Sequence, residues 1–156
     1  MRGLKPMAED QLGTVGGGNH YVDLFADEED RIWVGVHFGS RGLGHKTATH
    51  FLKAAGGKDG MDVPPTVVGE KSELGHDYLA GMHLAGRYAY AGREAVARYV
   101  AREVLCAKIL EEVHNHHNFA WREKHYGKEY WVVRKVRRRR FPDRKASSAA
   151  AWATTL

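Results

Sequence analysis

Three glycine- or asparagine-rich segments interrupt this chain, and each presents a histidine where a regular pattern stops. They are LGTVGGGNH (Leu12 to His20), VHFGSRGLGH (Val36 to His45) and HHNF (His116 to Phe119). Glycine is a poor interior residue for helix or strand and a good one for turns, so the regular elements must lie between these segments. A chain folded in this way can bring histidines together from loops and strand ends, as a metal site built from distant positions requires.

The segments between them have readable periods. His20 to Phe25 alternates in polarity as a half-buried strand does, and Ala26 to Asp30 reads as a turn. Arg31 to His37, rich in β-branched and aromatic residues, completes a hairpin and delivers His37 to a loop. Asn118 to His125 and Glu129 to Lys135 flank Tyr126-Gly127-Lys128 as a second hairpin. Apolar residues at helical spacing predict one helix over 75–91, a break at Gly92, and another helix over 93–113. Tyr88, Tyr90 and Tyr99 are assigned to packing in these stripes, and Cys106 to a reduced thiol buried in the second one. Gly39 to Gly44 reads as a loop ahead of a helix around 46–55. It either offers backbone N–H groups to an anion or uses glycine for its φ angles. Residues 54–69, with four Gly and two Pro, form a connector. The order strand, turn, strand, helix, helix, strand, strand predicts an α+β fold with a mixed β-sheet core and packed helices.

Charge and length narrow the function classes. The 156 residues suffice for one domain with a core, and no apolar run approaches the roughly 20 residues that span a bilayer, which favours a cytoplasmic, membrane-free protein. The net charge of +5 is confined to residues 136–156, where Arg137 to Arg140, Arg144 and Lys145 face only Asp143. Residues 1–135 hold 18 basic and 18 acidic side chains, so the body is neutral.

Of the ten histidines, His20, His37 and His117 are the candidate metal ligands, because each borders Gly, Asn or Ser residues that let a ligand approach. His45 and His50, five apart, would not share a helical face well, and His76, His83 and His125 read as surface or helix-face residues.

LGTVGGGNHYVDL, VHFGSRGLGH and HHNFAWREKHYGKEYWVVRK resemble, in order and approximate spacing, the middle of the RtcB tRNA-splicing RNA ligases, from about Gln11 to Lys135. The resemblance implies an enzyme that uses GTP and Mn²⁺ to join RNA 2′,3′-cyclic phosphate or 3′-phosphate ends to 5′-hydroxyl ends through guanylate intermediates. It also implies RNA and an archease-type activator as partners. By position, His20, His37 and His117 match metal ligands of a two-ion site, and Asn19, Asp23 and Asn118 match residues around the guanylate. Arg41 matches an arginine near phosphate, and Lys135 closes a family RKG motif. Asp23 stands where a Glu is common, and Phe38 where a Ser is usual.

The resemblance also implies that two family segments, DVGxDIGCG and HGAGR, have no counterpart here, so residues 11–135 are expected to form a partial catalytic domain, inactive alone. After Lys135 the family continues toward GATPA and GSMG. Back-translation with one G deleted converts such a run into the observed VRRRRFPDRKASSAAAWAT, from Val136 to Thr154, so 136–156 is expected to be a non-native, disordered frameshift tail. Two alternatives stand beside this reading: a divalent-metal-binding module without ligase activity, and an RNA-binding protein acting through Arg137 to Arg140.

Overall fold

The computed structural model describes residues 2–60, 62–116, 118–135 and 152–155. A 3₁₀ turn, Arg2–Leu4, leads into α1 (Lys5–Gln11); β1 (Tyr21–Ala26), β2 (Ile32–His37), α2 (Arg41–Ala54) and α3 (Glu73–Tyr99) follow. A π-helical turn, Val100–Val104, prolongs α3 before β3 (Glu111–His114), β4 (Asn118–His125), β5 (Lys128–Lys135) and β6 (Trp152–Thr155). The architecture is α+β, as expected. The described strands all pair antiparallel, in a four-stranded sheet ordered β1-β2-β6-β3 and a separate β4-β5 hairpin.

Both predicted hairpins form. Asp27 fastens the first turn: its carboxylate accepts from the Arg31 and Trp33 side chains at 2.7 and 2.8 Å and from the backbone N–H groups of Glu29 and Arg31. These donors hold its carboxyl well below the usual carboxylate range, the Trp33 bond most of all. In the β1-β2 register Val22 faces Val36 on one side of the ribbon, while Tyr21 faces His37 and Asp23 faces Gly35 on the other. The first side is the core. Val34, Val36, Phe38 and Ala97 are buried there, with Val15, Val22, Val96, Val100 and Leu105 packed around them.

The helices depart from the predicted boundaries. Gly92 does not break α3, because it is buried where a Cβ would come within 3.1 Å of the Phe38 ring. The missing side chain serves packing between helix and strand, so the helix runs through. Its end comes at the π turn, with Cys106 in the left-handed region at φ 50°. Cys106 is therefore an exposed loop residue, not a buried helical one, and residues 111–113, expected to be helical, belong to β3. Tyr88 and Tyr90 are partly buried as expected, whereas Tyr99 is exposed. Helix α2 starts at Arg41, earlier than predicted, so Gly42 and Gly44 are helical rather than part of a loop.

Trp152–Thr155, assigned from sequence to a tail outside the fold, forms the strand between β2 and β3. Residues 136–151, including Arg137 to Arg140, lie outside the described residues, as does the frameshift reading of them.

Candidate functional site

The glycine-rich loop between α1 and β1 is tied at three points. Gln11 Oε1 accepts from the Gly42 N–H at 2.9 Å and so caps α2, whose own Ser40 makes no side-chain cap. One of the N–H groups that the sequence offered to an anion, that of Gly42, is therefore already used. Thr14 donates its hydroxyl to the Gln11 carbonyl at 2.7 Å and accepts from Arg41 Nε at 3.3 Å. His20, at the end of the loop, has Nδ1 3.0 Å from the Val15 carbonyl. Gly16, at φ 89°, lies directly against the Arg41 guanidinium, where any Cβ would collide with it.

Arg41 is held in an unusual way. As the first residue of α2 it has φ 53°, a left-handed conformation that is costly for a residue with a Cβ. That conformation accompanies a guanidinium packed against the glycine loop, with Nη1 3.4 Å from His20 Nδ1. Both Arg41 and the Val15 carbonyl approach the same ring nitrogen. Because an arginine only donates, the shorter contact to a carbonyl assigns the proton to Nδ1. The lone pair then falls on Nε2, the form in which a histidine binds a metal. No carboxylate is among the described hydrogen-bond or ion-pair partners of Arg41.

His37 ends β2 with its ring centroid 6.3 Å from that of His20 and the planes tilted by 57°. On its other side it stacks on Tyr21 at 5.3 Å and 14°. The Tyr21 hydroxyl is pushed above its usual value by burial and by the Asp23 carboxylate. Asn19 and Asp23 are exposed beside this pair, in the loop and on the Tyr21 face of β1. Thus His20, His37 and Arg41 come together, flanked by two of the predicted guanylate residues.

Asn118 and Lys135 belong to the second hairpin. Asn118 opens β4, exposed, and pairs across the ladder with Lys135, the last residue of β5. His117 lies outside the described residues, and among those described no three His, Cys, Asp or Glu side chains gather as a metal cluster.

Sequence reasoning missed the residue that links the two regions. Arg93, on α3, is 3% exposed. Its Nη1 donates to the Phe38 carbonyl at 2.9 Å and its Nη2 to the Asn115 carbonyl at 3.2 Å. The helix carries Gly81, Ala85, Ala89, Arg93, Ala97 and Ala101 at a spacing of four, all buried. A lone arginine inside a stripe of small residues was the available signal.

Beyond Arg93 lies a tier of rings. Tyr90 stacks on His114 and donates its hydroxyl to the His114 carbonyl at 3.0 Å. His116 stacks on Phe119 at 4.6 Å, against Gly86, where a Cβ would meet the Phe119 ring at 2.6 Å. Burial, reinforced by the nearby Arg93 charge, pushes His114 down to about 2 and His116 to about 4, so both are neutral at physiological pH.

A family model described as tRNA-splicing ligase RtcB matches residues 2–154. The chain is 33% identical over 141 residues to the RNA-splicing ligase RtcB of Escherichia coli strain K12, covering 80% of this chain and 34% of that protein. It is 32% identical over 168 residues to the tRNA-splicing ligase RtcB of Nanoarchaeum equitans, covering 88% and 35%. The corresponding protein of Archaeoglobus fulgidus is 36% identical over 110 residues, covering 58% and 23%. The chain thus spans about a third of the length of the first two relatives. No solved structure matches it.

Proposed function

The chain belongs to the RtcB family, and from that premise we propose that it carries part of a GTP- and Mn²⁺-dependent RNA ligase centre. The reaction is the joining of RNA 2′,3′-cyclic phosphate or 3′-phosphate ends to 5′-hydroxyl ends. The observation that supports this most is the convergence of His20, His37 and Arg41.

The donor set suits the metal. His20 has Nδ1 tied to a carbonyl, and His37 is steadied by Tyr21, so each ring is oriented before any ion arrives. With His117 these are the residues that would hold Mn²⁺. When bound, the metal supplies Lewis-acid polarisation of phosphate oxygens. Arg41 binds phosphate through its planar donor fork. Asn19, Asp23 and Asn118 contact the guanylate, and Lys135 adds positive charge toward the RNA. An archease-type activator and broken or spliced RNA are the partners of this reading. No helix among the described residues is long and apolar enough to cross a membrane.

Calorimetric titration of the 156-residue chain with Mn²⁺ tests the metal assignment. Binding should weaken at least tenfold in His20→Ala and His117→Ala. Unchanged affinity in both variants would overturn it.

A further inference from the structure

We propose that Arg93 is a positioning residue whose guanidinium sets the spacing between the segments that carry His37 and His117, and thereby the affinity of the metal site. The inference rests on the metal reading above for its consequence, but its geometry stands independently. Phe38 directly follows His37, and Asn115 lies two residues before His117. These positions are far apart in the chain, yet both carbonyls accept from one side chain.

A buried guanidinium is expensive, and this one has no carboxylate among its described partners. Burial lowers its pKa to about 10, which still leaves it charged at neutral pH. What compensates it is carbonyl oxygen and the face of Tyr90, whose ring centroid lies 5.6 Å from the guanidinium carbon. Tyr90 in turn donates to the His114 carbonyl, so one helix face fixes three backbone points: the residue after β2, the end of β3 and the residue that follows it.

The planar fork is essential to this role. Two nitrogens of one rigid group hold two carbonyls at a set separation, whereas the single ammonium of a lysine is a point charge on a flexible stem. Gly92, adjacent in the helix, brings Phe38 close enough for the bond. His20 is held separately, by the Val15 carbonyl and the glycine loop.

The test uses the full chain in four forms besides wild type: Arg93→Lys, Arg93→Met, His37→Ala and Phe51→Ala. The last removes a buried side chain of α2 outside the site and serves as a control for general destabilisation. Circular dichroism confirms folding at the titration temperature. Arg93→Lys is expected to weaken Mn²⁺ binding about tenfold and Arg93→Met more, while Phe51→Ala stays within about twofold. In metal-free protein, Arg93→Lys is also expected to shift the His37 imidazole resonances, which Phe51→Ala should leave in place. Wild-type affinity and unshifted His37 resonances in Arg93→Lys overturn the inference. If His37→Ala still weakens binding in that series, the metal reading survives; if His37→Ala binds as wild type does, the metal reading itself fails, while the resonance shift still judges Arg93. Should Arg93→Met not fold, Arg93→Lys decides.

Discussion

The imidazole of His37 lies on the phenol ring of Tyr21, with centroids 5.3 Å apart and planes within 14° of parallel. The two residues face each other across the β1-β2 ladder, so the hairpin register alone brings them together. A one-residue slip in register would move one ring to the opposite face of the ribbon.

Tyr21→Ala is therefore expected to cost about 1 kcal/mol, the usual worth of a cross-strand aromatic pair. Tyr21→Phe keeps the ring and should cost little. Urea denaturation of the two variants checks this, and equal losses would show that the hydroxyl, not the stack, carries the contribution.

Arg41 yields a prediction about backbone strain. Its left-handed φ of 53° is strained for any residue with a Cβ but not for glycine. Arg41→Gly should thus be more stable than Arg41→Ala by about 1 kcal/mol, although both lose the guanidinium. The denaturation midpoints of the pair settle the order.

Gly16 is constrained twice, by φ 89° and by the guanidinium packed on it. Gly16→Ala should destabilise the chain by about 1–3 kcal/mol. It should also displace Arg41 from His20, visible as a shifted His20 imidazole signal. Retention of both stability and signal would count against the packing described.

His114 gives a pH dependence. Its folded-state pKa is lowered from 6.5 to about 2, chiefly by burial and then by Arg93, His116 and Arg98. Between those values the unfolded chain binds the proton that the folded chain excludes, so stability falls as pH drops below about 6.5. Glu123, paired with Arg134 and His125 and lowered to about 2, adds its own loss only below 4.5. His116, lowered to about 4, contributes over the same interval, so urea midpoints should decline already between pH 6.5 and 5, and His114→Phe should lessen that decline without abolishing it. A flat wild-type profile in this interval would refute the assignment.

What could be read in the sequence was what local chemistry determines. Alternation and turn residues specified both hairpins nearly to the residue, because strand period and turn conformation are properties of neighbours. The convergence of His20 and His37 follows from the first hairpin and its preceding loop. Gly92 was misread because a glycine's local meaning, a break, was overridden by its tertiary one, room for Phe38. Arg93 was hidden for the same reason: its partners are backbone carbonyls, which no side-chain motif records. The short strands β3 and β6 depend on each other across a long separation and carry little periodic signal of their own.

That mutual dependence bears on how the sheet assembles. The β1-β2 ribbon joins sequence neighbours and can close quickly, but β3 reaches it only through residues 152–155. Such distant pairing must overcome loop-closure entropy before any ladder bond rewards it, so it belongs to the slow end of folding. Until β6 inserts, the open edges of β2 and β3 are templates for other chains. Removing residues 136–156 to probe the arginine run would leave those edges unpaired, and a change in RNA binding could then reflect association of the truncated chain.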